Sequence, residues 1–182
     1  MKNITFITGN AKKAEQLSYY LHHPVAHQKL DIPEIQSMDV EFVATEKAKA
    51  AYAILGTPVF VEDTALTFEA LNGLPGPLIK WFLESLGNDG LVALLASTTN
   101  RNATATTCFA LCDENGVQLF TVSCKGRVAD TPRGITDFGW NPIFIPEGSD
   151  KTWAEMDIAE QSKTSMRRVA LKKLQSYLEE EL

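Results

Sequence analysis

The spacing of apolar positions divides the 182-residue chain into alternating strands and helices. A β-forming run from Asn3 to Thr8 leads through Gly9-Asn10 into Ala11 to Leu21, where Ala14, Leu17, Tyr20 and Leu21 recur at helical spacing. Val25 to Leu30 predicts a second strand, followed by the loop Asp31-Ile32-Pro33-Glu34. Next comes a helix over Val40 to Leu55, with Asp39 as N-cap and Gly56 as its C-terminal stop. Val59-Phe60-Val61 is continuously apolar and predicts a buried strand ending at Glu62-Asp63. Gly73 to Pro77 is expected to be a loop. Leu78 to Leu86 and Asp89 to Ala96 read as two short helices parted by Gly87.

Thr104 to Cys112 and Val117 to Val128, joined by Asp113-Glu114-Asn115-Gly116, predict a β-hairpin. A segment punctuated by Pro and Gly runs from Thr131 to Pro146. The last helix is expected from Lys163 to Glu180, burying Val169, Leu171, Leu174, Tyr177 and Leu178. The pattern implies an α/β fold in which a mixed, twisted β-sheet is flanked by helices. It is expected to form two lobes with a central substrate groove between them, as a single domain over residues 1–182. The hairpin of residues about 104–128 would belong to the second lobe.

Composition narrows the function. With 45% hydrophobic and 22% charged residues the chain can build an ordinary core. Seventeen Lys and Arg against 23 Asp and Glu give a net charge of -6, so no basic field draws the chain to nucleic acid. A polyanionic ligand would have to be met locally, by a few cations or by a metal ion. No apolar run is long enough for a membrane span, and the apolar stretch near Met1 is too short for a signal segment, so a cytoplasmic protein without a membrane partner is expected. Cys108, Cys112 and Cys124 lack CxxC spacing and read as reduced thiols.

Three constellations carry chemistry. Thr8-Gly9-Asn10-Ala11-Lys12-Lys13 places a Gly turn, a helix start and lysines where a strand ends, which suits a phosphate; a plain capped turn with solvated lysines fits the same residues. Glu62 and Asp63 after a buried strand, with Asp31 and Glu34 in a loop, offer hard oxygen ligands for Mg²⁺, although solvated loop acids would look alike. Phe138-Gly139-Trp140-Asn141-Pro142 and Lys163-Thr164-Ser165-Met166-Arg167-Arg168 offer a stacking platform and polar groups for a base. A packed aromatic loop and a basic helix start are the alternative.

Taken in order, these pieces resemble the inosine triphosphate pyrophosphatase family, also called the Ham1 family. Matching segments run from Thr8-Gly9-Asn10-Ala11-Lys12-Lys13 and Asp31-Ile32-Pro33-Glu34 through Val61 to Leu66 and Gly73 to Phe82. They continue with Pro132-Arg133-Gly134, Phe138-Gly139-Trp140 and Ala154-Glu155-Met156. The resemblance implies Mg²⁺-dependent hydrolysis of deaminated purine nucleoside triphosphates, such as ITP, dITP and XTP, to the monophosphate and pyrophosphate by a homodimer. It implies that Lys13 with Thr8, Gly9 and Asn10 holds the triphosphate, and that Glu34 and Asp63 bind or act through the metal. Asp63, Lys13 and Glu34 would then carry catalysis, with Arg133 a further cation for the phosphates. Phe138 and Trp140 would line the base pocket, with Ser165 and Arg167 at its polar edge.

The chain departs from the family pattern where Asn141 replaces Asp, where Met166 interrupts Ser-His-Arg, and where Gln161 stands at a lysine position. All three changes fall among the base-binding residues, so hydrolysis is expected to persist with altered base selectivity. The alternative is a nucleotide-binding module without turnover, acting as a sensor or partner.

Overall fold

The structure is a computed structural model that describes residues 4–21, 25–135 and 139–180. Its elements in chain order are β1 (Thr5–Ile7), α1 (Ala11–Leu21), β2 (Ala26–Gln28), α2 (Val40–Leu55), β3 (Val59–Phe68), β4 (Pro75–Gly76) and α3 (Ile79–Ala93). They continue with β5 (Asn102–Asp113), β6 (Gly116–Val128), β7 (Phe144–Pro146), α4 (Ile158–Thr164) and α5 (Met166–Glu180). Among the described residues the strands join one mixed sheet in the order β2-β1-β3-β5-β6-β7, with β4 paired to β3. β1 is parallel to β2 and β3, whereas β4 runs antiparallel to β3 and β7 antiparallel to β6.

The chain divides into two compact units, the first of residues 1–63, 107–122 and 167–182, the second of residues 64–106 and 123–166. The hairpin expected in a second lobe contributes to both, because the ends of its strands nearest the turn belong to the first unit. In the first unit the alternation of side chains along each strand sorts the core into two layers. Phe6, Phe60, Phe109 and Phe120 face α1 and α5, where Leu17, Ala170, Leu171 and Leu174 meet them. Ile7, Val59, Val61, Cys108 and Ala110 face α2, whose Ala44, Ala48 and Ala51 have no exposed surface. Only small side chains on that helix stripe let it lie close to the sheet. Burial pushes the Cys108 thiol up to about 11, and the described cysteines are unpaired, as expected of reduced thiols.

In the second unit Trp140, Phe144 and Trp153 form an aromatic cluster, with Phe144 and Trp153 centroids 4.5 Å apart. Two capping boxes follow one another. Thr152 and Glu155 close a short 3-10 turn, and Asp157 and Glu160 start α4.

Four expectations change. The strand predicted to end at Glu62-Asp63 runs on to Phe68, because Thr64, Leu66, Thr67 and Phe68 continue a β-forming sequence and the two cations paired with Glu62 make its burial tolerable. Within the loop expected over Gly73 to Pro77, Pro75–Gly76 pairs with β3 as β4. The last helix is two helices broken at Ser165, whose ψ of 103° leaves the helical region. Val169, expected on the buried face, is 44% exposed, while its neighbours Ala170 and Leu171 point inward.

Other expectations hold: Gly87 interrupts α3 with φ 65°, and Asp39 and Gly56 cap α2. The Asp39 carboxylate accepts hydrogen bonds from the amides of Glu41 and Phe42 at 2.9 and 3.2 Å. Asp39→Ala removes both and is expected to lower stability by about 1 kcal/mol, read as a shift in the urea midpoint. Asn in its place retains the cap.

Candidate functional site

Glu62 and Asp63 are neighbours on β3, so their side chains leave the sheet on opposite faces and meet different helices. Glu62 falls in the Phe60 layer. There Lys13 of α1 approaches its Oε2 to 3.3 Å, while Arg167 of α5 places Nε 2.7 Å from Oε1 and donates from Nη2 to Oε2 at 3.0 Å. Thr107 Oγ1 donates to Oε1 at 3.5 Å. The carboxylate is buried, with 2% of its side chain exposed. Burial alone would raise its pKa, but Lys13 and Arg167 outweigh it and hold Glu62 below its ordinary value.

Asp63 falls in the Val59–Val61 layer and meets α2. Lys47 Nζ lies 3.2 Å from Asp63 Oδ2 and 3.1 Å from Glu34 Oε1, bridging the strand and the loop after β2. Burial, helped by the nearby charge of Glu34, raises Asp63 from its ordinary value, and the pull of Lys47 and Lys13 in the other direction does not cancel it. For Lys47 burial works to lower the pKa, yet the charges of Asp63 and Glu34 prevail and hold it above 10.5. Two adjacent acids thus have opposite tendencies. Two cations hold the Glu62 carboxylate as an anion, whereas burial works against the charge of Asp63.

The turn before α1 is organised by its own side chains. Thr8 Oγ1 accepts from the Asn10 amide at 3.1 Å, and Asn10 Oδ1 accepts from the Lys13 amide at 3.2 Å, so Asn10 caps the helix. Gly9 packs under Lys29, whose Cδ would lie 3.4 Å from a Cβ built on that glycine. Thr8, Gly9, Asn10, Lys13, Glu34, Asp63 and Arg167 all belong to the first unit, where Lys13 and Arg167 pair with Glu62, and Glu34 and Asp63 with Lys47.

The remaining predicted residues belong to the second unit. Trp140 packs edge-on against Phe144 and tilted against Trp153. Asn141 opens the 3-10 turn Asn141–Ile143. Gln161 donates from Nε2 to the carbonyls of Trp153 at 2.6 Å and Met156 at 3.3 Å, so its amide fastens the turn before α4. Ser165 closes α4, and Met166 is buried. Arg133 pairs with Glu155 at 3.3 Å and donates to the Asp150 carbonyl at 2.7 Å. Phe138 lies outside the described residues.

The sequence profile of the Ham1 family matches residues 4–177. The chain belongs to the Ham1 family. It is 44% identical over 178 residues to inosine triphosphate pyrophosphatase 2 of Trypanosoma cruzi, covering 96% of this chain and 91% of that protein. It is also 44% identical over 183 residues to inosine triphosphate pyrophosphatase of Yarrowia lipolytica, covering 98% and 96%. Among solved structures, a HAM1 protein from Coxiella burnetii superposes with a TM-score of 0.87 at 26% identity, covering 99% of this chain and all of that one. A nucleoside-triphosphatase, a dITP/XTP pyrophosphatase from Mycobacterium abscessus, gives a TM-score of 0.76 at 29% identity over 94% and 97%.

Lys47 escaped the reading of the sequence as a partner of the acids, and Glu62, read there as an oxygen ligand for Mg²⁺, is instead the buried partner of Lys13 and Arg167. A signal for Lys47 exists: it interrupts the stripe of Ala44, Ala48 and Ala51, where a charge must find a partner. Glu62→Gln leaves Lys13 and Arg167 without their buried counter-charge and is expected to cost about 3 kcal/mol at neutral pH. Glu62 titrates lower folded than unfolded, so its contribution is complete above the ordinary value of 4.5 and disappears as the pH falls through its folded value. Denaturant unfolding of both chains across acid and neutral pH checks this. The stability gap closes on acidification, and equal stabilities at neutral pH would contradict the assignment.

Proposed function

We propose that this chain hydrolyses nucleoside triphosphates carrying deaminated purines, ITP, dITP and XTP, to the monophosphate and pyrophosphate. The observation that carries the reading is the pair of carboxylates, Glu34 and Asp63, sharing one ammonium at 3.1 and 3.2 Å in the same unit as the Lys13 turn. Membership of a family whose relatives are named inosine triphosphate pyrophosphatases supports it and gives no favour to a module without turnover.

Oxygen donors that already hold a cation fit a hard divalent ion such as Mg²⁺, and Glu34 and Asp63 would hold it. When bound, such an ion neutralises the triphosphate and polarises its phosphoryl oxygens. Lys13, with the helix start behind Gly9 and Asn10, binds the phosphate chain. Asp63, as a carboxylate, either holds the ion or orients the water that attacks the α-phosphorus and takes its proton at a carboxylate oxygen. Lys13 and Arg167, tied to Glu62, keep their positions without a net buried positive charge of two.

Base selection falls to Phe138, Trp140, Asn141, Gln161, Ser165, Met166 and Arg167. Gln161 spends its amide on two carbonyls and Met166 is buried, which supports altered discrimination between ordinary and deaminated purines. A homodimer follows the family resemblance, and the exposed Leu74, Trp81 and Leu86 of the second unit give such a contact apolar surface. No described helix is long and apolar enough to cross a membrane, and the unpaired cysteines support a cytoplasmic setting.

Pyrophosphate release from ITP, XTP, ATP and GTP with Mg²⁺ tests the reading. ITP and XTP are expected to turn over, with a narrowed margin over ATP and GTP. No pyrophosphate from any of them would refute the activity, and a strong preference for ITP and XTP would refute the altered selectivity. Asp63→Asn is expected to lower turnover by about 10²-fold or more with the melting temperature little changed. Near wild-type rates would remove Asp63 from its role.

A further inference from the structure

Lys47 occupies a position that α2 otherwise gives to alanine, with 18% of its side chain exposed, and its ammonium spans Glu34 Oε1 and Asp63 Oδ2. These are the carboxylates to which the proposed function assigns the divalent cation, and the present inference rests on that assignment. An ammonium and a divalent cation compete for the same oxygen lone pairs and repel each other at that range. We infer that Lys47 is a resident counter-ion that keeps the Glu34–Asp63 pair closed to free divalent cations, and that its ammonium must leave for the pair to open.

The side chain suits that exchange. Its flexible four-carbon stem lets Nζ swing while the backbone of α2 stays fixed by Ala44, Ala48 and Ala51 against the sheet. An ammonium leaving two carboxylates needs another anion, and a triphosphate brings one. Opening of the pair is therefore coupled to arrival of the nucleotide, and a cation entering alone meets a closed pair. Glu62 on the opposite face shows the contrast. Its two partners reach it from separate helices, and Arg167 engages both of its oxygens, so loss of either partner leaves the other in place.

The test measures Mn²⁺ binding without nucleotide, by electron paramagnetic resonance of the free ion, in the wild-type chain, Lys47→Met and Lys47→Gln. Both variants are expected to bind at least about tenfold more tightly, a direction that mere loss of a structural contact would not produce. A second measurement uses the unaltered chain. Acetic anhydride labelling of Lys47, read by mass spectrometry, is expected to rise when saturating Mn²⁺ alone displaces its ammonium and to fall again when a non-hydrolysable triphosphate gives it a new partner, with Lys49, paired to Glu46 on the surface, as internal reference. Unchanged or weaker Mn²⁺ binding in the folded variants overturns the inference, and so does labelling that does not respond. If Glu34→Gln and Asp63→Asn still weaken Mn²⁺ binding in that case, the metal assignment stands alone. If neither weakens it, the metal assignment falls as well.

Discussion

The two-residue period of a β-strand is the constraint on which the site depends. Glu62 and Asp63 share one peptide bond and cannot share one environment, because consecutive side chains leave the sheet on opposite sides. The face of Phe6, Phe60 and Phe109 turns Glu62 toward α1 and α5, and the face of Val59 and Val61 turns Asp63 toward α2. One acid receives two cations and is fixed as an anion. The other shares a single lysine with Glu34, and burial raises its pKa from the ordinary value.

This division explains how a chain of net charge -6 can handle a tetra-anionic substrate. Positive groups are concentrated rather than spread: Lys13 and Arg167 pair with Glu62, and Lys47 with Glu34 and Asp63, in one unit. Buried ion pairs of this kind add little net stability against a well-packed apolar alternative. Their value here lies in position. Glu62 ties α1 and α5 to β3, and the same tie aims Lys13.

Much of the fold was legible in the sequence where local chemistry decides it. The caps at Asp39 and Gly56, the break at Gly87 and the hairpin turn before Gly116 lie where residue type implied. The length of β3 was not legible, since two adjacent acids read as an end to a strand unless their partners in Lys13, Arg167 and Lys47 are known, and those lie far away in the chain. The same holds for Lys47, visible only as a charge out of place on an alanine stripe. Gln161 and Arg133 were legible as polar residues near a site, but their contacts are with backbone carbonyls and Glu155, which only the folded turn before α4 supplies.

The most direct test is a crystal structure with Mn²⁺ and a non-hydrolysable ITP analogue, reading the anomalous signal of the ion. The account predicts the ion between the carboxylates of Glu34 and Asp63, Lys47 turned to the phosphates, and Glu62 still paired with Lys13 and Arg167. An ion bound to Glu62, or Lys47 still bridging Glu34 and Asp63 with nucleotide present, would contradict it.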